Sequence, residues 1–191
     1  GKEVYLTLYN RAEIGGGNSR YQIVEQPQFL TGKDYRNRRG DVLLLINGMP
    51  VIHIELKAKG VDVLEATTQF ERYAKDGVFT GIFSLIQVFF AITPEDVLYF
   101  ANPGDYTNYN PAFFFRWGDK DNNVITDWRS ICKSQNSILS IPEAHKLIGY
   151  YTVANKNSGT LMVIRPYQYQ EINAIFNKVQ KHKWGNHDPL G

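Results

Sequence analysis

The sequence predicts an α/β domain in which a mixed central sheet is flanked by helices. Three observations carry that expectation. The chain has 191 residues, enough for one domain with its own core and a fragment of a second. Residues 41–57 read as an apolar strand, an Asn47-Gly48 turn and a second strand, the strongest short hairpin signal available. A helical segment over 61–75 then separates that hairpin from two further strands.

In chain order, Val4, Leu8 and Ala12 give residues 4–13 a weak helical stripe, which the run Gly15-Gly16-Gly17-Asn18-Ser19 ends. Residues 21–29 alternate loosely and read as a strand; 32–40 are polar and basic, hence a loop. The helix over 61–75 is bounded by Gly60 and Gly77. Strands at 84–92 and 96–100 are divided by Thr93-Pro94-Glu95. A Pro/Gly/Asn/Tyr-rich loop at 102–110, a short strand at 113–117, a turn at 119–123 and short helices over 128–151 follow. Tyr169, Ile172, Ile175, Phe176 and Val179 set a helical period over 165–181. The expected sheet uses strands near 22–29, 41–46, 51–57, 84–92 and 96–100.

Composition excludes several classes. With 43% hydrophobic and 21% charged residues, the chain is neither disordered nor collagen-like. One cysteine, Cys132, cannot form an internal bridge, and no secretory signal opens the chain, so a cytoplasmic protein is expected. The longest apolar run, 83–92, falls short of the ~20 residues a bilayer requires. A net charge of +2 argues against wrapping nucleic acid by bulk positive field. His182 and His187 have no cysteine partners, which argues against zinc.

The hairpin carries the chemistry. Strand side chains alternate faces, so His53, Glu55 and Lys57 share one face and Ile52, Ile54 and Leu56 the other. Alone, Glu-x-Lys reads as the solvated side of a half-buried strand. Asp41 changes that reading if it lies opposite Glu55. A strict two-residue turn at Asn47-Gly48 places Asp41 opposite Ile54, on the wrong face, so a functional pair requires an odd-length loop or a bulge. Two carboxylates and a lysine then suit metal-assisted phosphodiester hydrolysis. Mg²⁺ takes one or two carboxylates plus waters and phosphate oxygens, and a lysine beside it offsets developing negative charge. Carboxylates more than ~8 Å apart could not share such an ion, whose ligands sit at about 2.0–2.1 Å. Gln69 and Tyr73, four apart on the following helix, stack on one face with Glu65 one turn earlier. By themselves they read as a solvent-facing polar column; they could also return over the same sheet face.

Together, Asp41 and Glu55-Leu56-Lys57 resemble the PD-(D/E)xK nuclease signature, with Gly40-Asp41 in place of the usual proline-aspartate. Adding Asn47-Gly48-Met49-Pro50 and Gln69-x-x-x-Tyr73, the pattern resembles the N-terminal nuclease domain of the R subunit of type I restriction-modification enzymes. Arg165-Pro166-Tyr167-Gln168 resembles the Q-motif that precedes the first motor domain of those subunits. The resemblance implies a restriction-endonuclease-like fold over 1–160 and the start of a superfamily 2 motor over 161–191. It implies that Asp41, Glu55 and Lys57 are catalytic, that Asp41 and Glu55 hold Mg²⁺ with the Leu56 carbonyl as a third ligand, and that Gln69 and Tyr73 support the site or touch DNA. Gln168 would contact adenine, and ATP would matter only in the full-length subunit, because no G-x-x-x-x-G-K-[ST] occurs here. The implied partners are double-stranded DNA and the methyltransferase (M) and specificity (S) subunits, with cleavage following ATP-driven translocation in a prokaryotic cytoplasm.

A glycine before Asp41 is expected to loosen the chain there. Glu13, Glu3 and Glu25 are candidates for an extra acidic group. Lys33, Arg36, Arg38, Arg39 and Lys59 surround the motif and suit phosphate contacts, which position a duplex without reading it. The aromatic run Tyr106, Tyr109, Phe113, Phe114, Phe115 and Trp117 reads chiefly as core. Two alternatives fit less well. A stand-alone PD-(D/E)xK repair or recombination nuclease has no use for Arg165–Gln168; a non-catalytic DNA-binding or assembly module has no use for an intact Asp41, Glu55 and Lys57. The chain reads as an excised N-terminal piece of a longer subunit, expected to show little nuclease activity alone.

Overall fold

Strands β4 (Val42–Ile46) and β5 (Met49–Leu56) form the expected hairpin in a computed structural model that describes residues 3, 13–14, 17–29, 38–133 and 137–182. Asn47 (φ 52°) and Gly48 (φ 82°) both sit in the left-handed region, so the turn has two residues and Ile46 pairs with Met49. That turn alone would set Asp41 opposite Ile54. A bulge corrects it: Leu45 pairs with Pro50 and Leu44 with Ile52, leaving Val51 as the extra residue. Pro50 has no N–H to give the ladder, which is where a central strand tolerates such an interruption. From Ile52 on, Leu43 faces His53 and Val42 faces Ile54, so Asp41 comes opposite Glu55. Gly48→Val is expected to cost roughly 1–2 kcal/mol, because a β-branched residue resists a left-handed backbone, and to lower the urea midpoint at unchanged slope.

Six strands make the main sheet in the order β1-β4-β5-β6-β7-β8. β1 (Tyr21–Glu25) is its exposed edge, and β6 (Val88–Ile92), β7 (Val97–Ala101) and β8 (Phe115–Arg116) complete it. β5 pairs antiparallel with β4 but parallel with β6, so the sheet is mixed. The crossover between β5 and β6 is α1 (Val63–Lys75), started by an Asp62 side chain that accepts from Leu64 N at 2.9 Å. Glu65 in its first turn and Arg72 and Lys75 in its last complement the helix dipole.

Each face of the sheet buries its own core. Val88, Phe90, Ile92, Val97 and Tyr99 face Trp117, Ile131, α2 (Glu143–Gly149) and the start of α3 (Pro166–Lys181). Phe89, Ala91, Leu98 and Phe100 face Val63, Ala66, Phe70 and Tyr73 of α1. The sequence-based bounds differ in places. Residues 21–29 are two strands, β1 and β2 (Gln28–Phe29), broken at Gln26 (φ 51°); β2 pairs with β3 (Arg38–Arg39). Residues 81–85 form a 3₁₀ turn, so β6 starts at Val88 rather than at 84. A small hairpin of β9 (Thr152–Ala154) and β10 (Leu161–Val163) was not foreseen. Val163 and Tyr169 join the main core, and the Tyr169 hydroxyl donates to Glu143. The stripe expected over 4–13 falls almost wholly outside the described residues, as do Lys33 and Arg36.

Candidate active site

Asp41, Glu55, Lys57, Gln69 and Tyr73 come together where the β4–β5 hairpin meets α1. Asp41 Oδ2 accepts from Leu56 N at 2.7 Å, which ties the carboxylate to the end of β5. Gln69 uses its whole amide. Its oxygen accepts from the Lys57 ammonium, and its nitrogen donates to Glu55 Oε2 at 2.6 Å and to the Tyr73 hydroxyl at 2.6 Å. Tyr73 in turn donates to the Arg39 carbonyl at 2.7 Å, fastening α1 to the segment before Asp41. Gln69 and Tyr73 are therefore not a solvent-facing column; Tyr73 is buried among Phe29 and Phe70.

The electrostatics are dominated by burial. Glu55 is fully buried, and its pKa is raised to about 8, first by desolvation and then by the Asp41 carboxylate, close enough to share a proton with it. The Lys57 ammonium and a hydrogen bond from the Asp41 backbone oppose the shift without cancelling it. Burial lowers His53 to about 3, so its imidazole is neutral at pH 7. Burial and the nearby Glu55 also raise the Tyr73 hydroxyl, which stays protonated and donates.

Two residues of this site were missed in the sequence. Alternation assigned His53 to a polar, solvated face, yet it is fully buried, with Nε2 2.9 Å from Glu55 Oε1. Gly40 was expected to loosen the chain; instead it is buried, because a Cβ there would lie 2.6 Å from His53 Nε2 and 2.9 Å from Phe29 Cε2. Gly40 N also donates to Pro27 O at 3.0 Å. The only sequence signal was the replacement of proline by glycine three positions before Leu43, the residue that pairs with His53. Gly40→Ala is expected to destabilise the chain by about 1–3 kcal/mol through overpacking, and Gly40→Pro by more, since it also removes the bond to Pro27. Paired with His53→Ala, Gly40→Ala should lose part of its effect in a denaturation double-mutant cycle, the clash with Phe29 remaining.

The other candidates lie apart. Arg38 is ion-paired with Asp76 at 2.6 Å, at the end of α1. Arg39 reaches the cluster only through its carbonyl. Lys59 is exposed, 3.7 Å from Glu95. Glu25 is exposed on β1 opposite Val42, and Glu65 is exposed on α1. Gln168 caps α3, its side-chain oxygen accepting from Arg165 N at 3.0 Å. Trp117 is core, as read, whereas Phe113 is half exposed. A cavity of about 810 Å³ opens beside Tyr109, Phe114, Arg165 and Gln168; no carboxylate lines it, so it lacks the paired acidic groups found at Asp41 and Glu55. Among the described residues no helix is long and apolar enough to cross a membrane.

Residues 2–108 match the family model described as the type I restriction enzyme R protein N terminus, more than half of the chain. The chain belongs to this family. It is 31% identical over 176 residues to the endonuclease subunit of the type I restriction enzyme SauMSSORF170P of Staphylococcus aureus, covering 92% of this chain and 18% of that protein. A Staphylococcus saprophyticus endonuclease subunit, SsaAORF53P, is 33% identical over the same length, again 92% and 18%. The EcoprrI endonuclease subunit of Escherichia coli is 30% identical over 167 residues, 85% of this chain and 50% of that protein. The chain thus spans a fifth to a half of its relatives. As a member of the R-protein N-terminal family it shares the restriction-endonuclease-like α/β architecture expected of it: a six-stranded mixed sheet with helices on both faces.

Proposed function

We propose that this R-protein N terminus is a Mg²⁺-dependent endonuclease domain that hydrolyses DNA phosphodiester bonds. The observation that carries the reading is the Asp41–Glu55 pair, set opposite each other by the Val51 bulge with Lys57 on the same face. A buried carboxylate against a partly buried one is unfavourable, and a divalent cation between them would relieve what holds Glu55 protonated. Two carboxylates fit a cation that keeps several waters, and the Leu56 carbonyl would be its third protein ligand. When bound, Mg²⁺ would neutralise charge on the scissile phosphate and lower the pKa of a water.

The chain's own residues do the rest. Asp41 is oriented by Leu56 N, and Glu55 Oε2 by the Gln69 amide. Lys57, held by the Gln69 oxygen, places a positive charge beside the pair, where it would orient the attacking water and offset charge developing on phosphate. Exposed Arg39 and Lys59 would bind backbone phosphates without reading bases. In the longer subunit, 161–191 would lead into an ATP-driven motor with Gln168 near adenine, and the M and S subunits would supply site recognition in the prokaryotic cytoplasm.

The test is DNA cleavage by the assembled enzyme carrying Asp41→Ala or Glu55→Ala. Both should abolish cutting while leaving the complex intact on a sizing column; cleavage at the wild-type rate by either variant would overturn the reading. The 191-residue chain alone is expected to cut DNA little, and robust sequence-specific cleavage by it would contradict the assignment of recognition to other subunits.

A further inference from the structure

We infer that His53 is a positioning residue for Glu55, holding Oε1 from the protein interior so that Oε2 and the Asp41 carboxylate face the cation site. The inference rests on the metal-site reading above. Nε2 of His53 lies 2.9 Å from Glu55 Oε1, within reach of a hydrogen bond but not aligned as one, and neither these two atoms nor His53 Nδ1 has another polar partner among the described residues. The ring has little freedom to turn elsewhere. It stacks parallel on Tyr73 (centroids 6.0 Å apart, 3° between planes), meets the edge of Phe70 at 5.1 Å and lies 5.4 Å from Phe29.

Space filling alone does not explain a histidine here. Leucine or phenylalanine would fill an aromatic pocket without burying polar nitrogens, whereas an unsatisfied buried donor is strongly unfavourable. Position 40 adds a second observation. The ring occupies the volume a side chain at Gly40 would need, so the residue preceding Asp41 has given up its Cβ to let the imidazole reach Glu55. One imidazole thereby touches both strands of the hairpin: the residue next to Asp41 on one and Glu55 on the other. Groups that orient a metal-binding side chain typically alter affinity by 10–100-fold when removed.

The experiment is calorimetric titration of the chain with Mg²⁺, alongside its melting temperature, for wild type, His53→Gln, His53→Asn, His53→Leu and Glu55→Gln. A glutamine amide nitrogen reaches the place of Nε2; an asparagine amide does not. Gln should keep the wild-type affinity within about threefold, while Asn and Leu should weaken it about tenfold or more. Equal affinity for Gln, Asn and wild type, with binding lost in Glu55→Gln, would show that His53 only fills space. Unchanged binding in Glu55→Gln would overturn the metal-site reading itself. If Leu fails to fold, the comparison of Asn with Gln decides alone, since both shorten or thin the ring and differ in reach.

Discussion

In metal-free buffer the chain is expected to lose on the order of 4 kcal/mol of stability as the pH rises from 4.5 to about 8, and Glu55→Gln is expected to remove most of that loss. The sign follows from the direction of the shift. Glu55 is raised in the folded chain, so between its unfolded and folded pKa values the folded state holds a proton that the unfolded state has released. Unfolding is then favoured by raising the pH. The stabilisation is fully present below pH 4.5 and gone above about pH 8. The physical causes are burial and the adjacent Asp41 carboxylate, so a neutral glutamine that keeps the bond to Gln69 escapes both. In the proposed reading Mg²⁺ would bind the folded chain alone, and should then restore stability at pH 8 in wild type but not in Glu55→Gln. Urea denaturation in a chelating buffer, with and without added metal, measures all three outcomes; a flat wild-type profile would contradict them.

Lys57→Ala in the assembled enzyme is expected to lower DNA cleavage by roughly 10²–10³-fold, the usual effect of deleting one group that stabilises developing negative charge. The reason is geometric. Lys57 is held by the oxygen of the same amide whose nitrogen holds Glu55, so its charge is fixed beside the carboxylate pair. Mg²⁺ affinity should change little, because Lys57 is not a ligand in this reading. Its loss also removes the positive charge that pulls the Glu55 pKa down, so the pH-dependent step in metal-free stability should move above pH 8. Single-turnover cleavage at saturating metal separates the charge effect from weakened binding. A loss recovered by more Mg²⁺ would mean that Lys57 acts on the metal instead.

The elements that position the site were legible where local chemistry is unambiguous. Asn47-Gly48 specifies a two-residue turn, and the apolar spacing of Val63, Ala66, Phe70 and Tyr73 specifies α1. The bulge was legible only indirectly: nothing but the need to set Asp41 against Glu55 demanded it, and the structure supplies it at Val51, beside Pro50. Phe83 and Leu85 open the apolar run read as a buried strand, yet they belong to a 3₁₀ turn with Leu85 exposed, because an apolar run does not encode which way it faces. β9 and β10 are three residues each, too short to show alternation. His53 was misplaced for a more instructive reason. Period-two reasoning sends His53, Glu55 and Lys57 to one face and takes their polarity to mean solvent, but α1 lies over that face and only Lys57, past the end of β5, remains partly exposed.

The most direct test of a shared cation site is Mg²⁺ titration of the chain by calorimetry, wild type against Asp41→Ala. Asp41 sits at the outer end of the hairpin and is only partly buried, so its removal should spare the fold. Saturable binding at millimolar metal or below, lost in Asp41→Ala, is the predicted result. No binding by the wild-type chain at millimolar Mg²⁺, or equal binding by both, would contradict it.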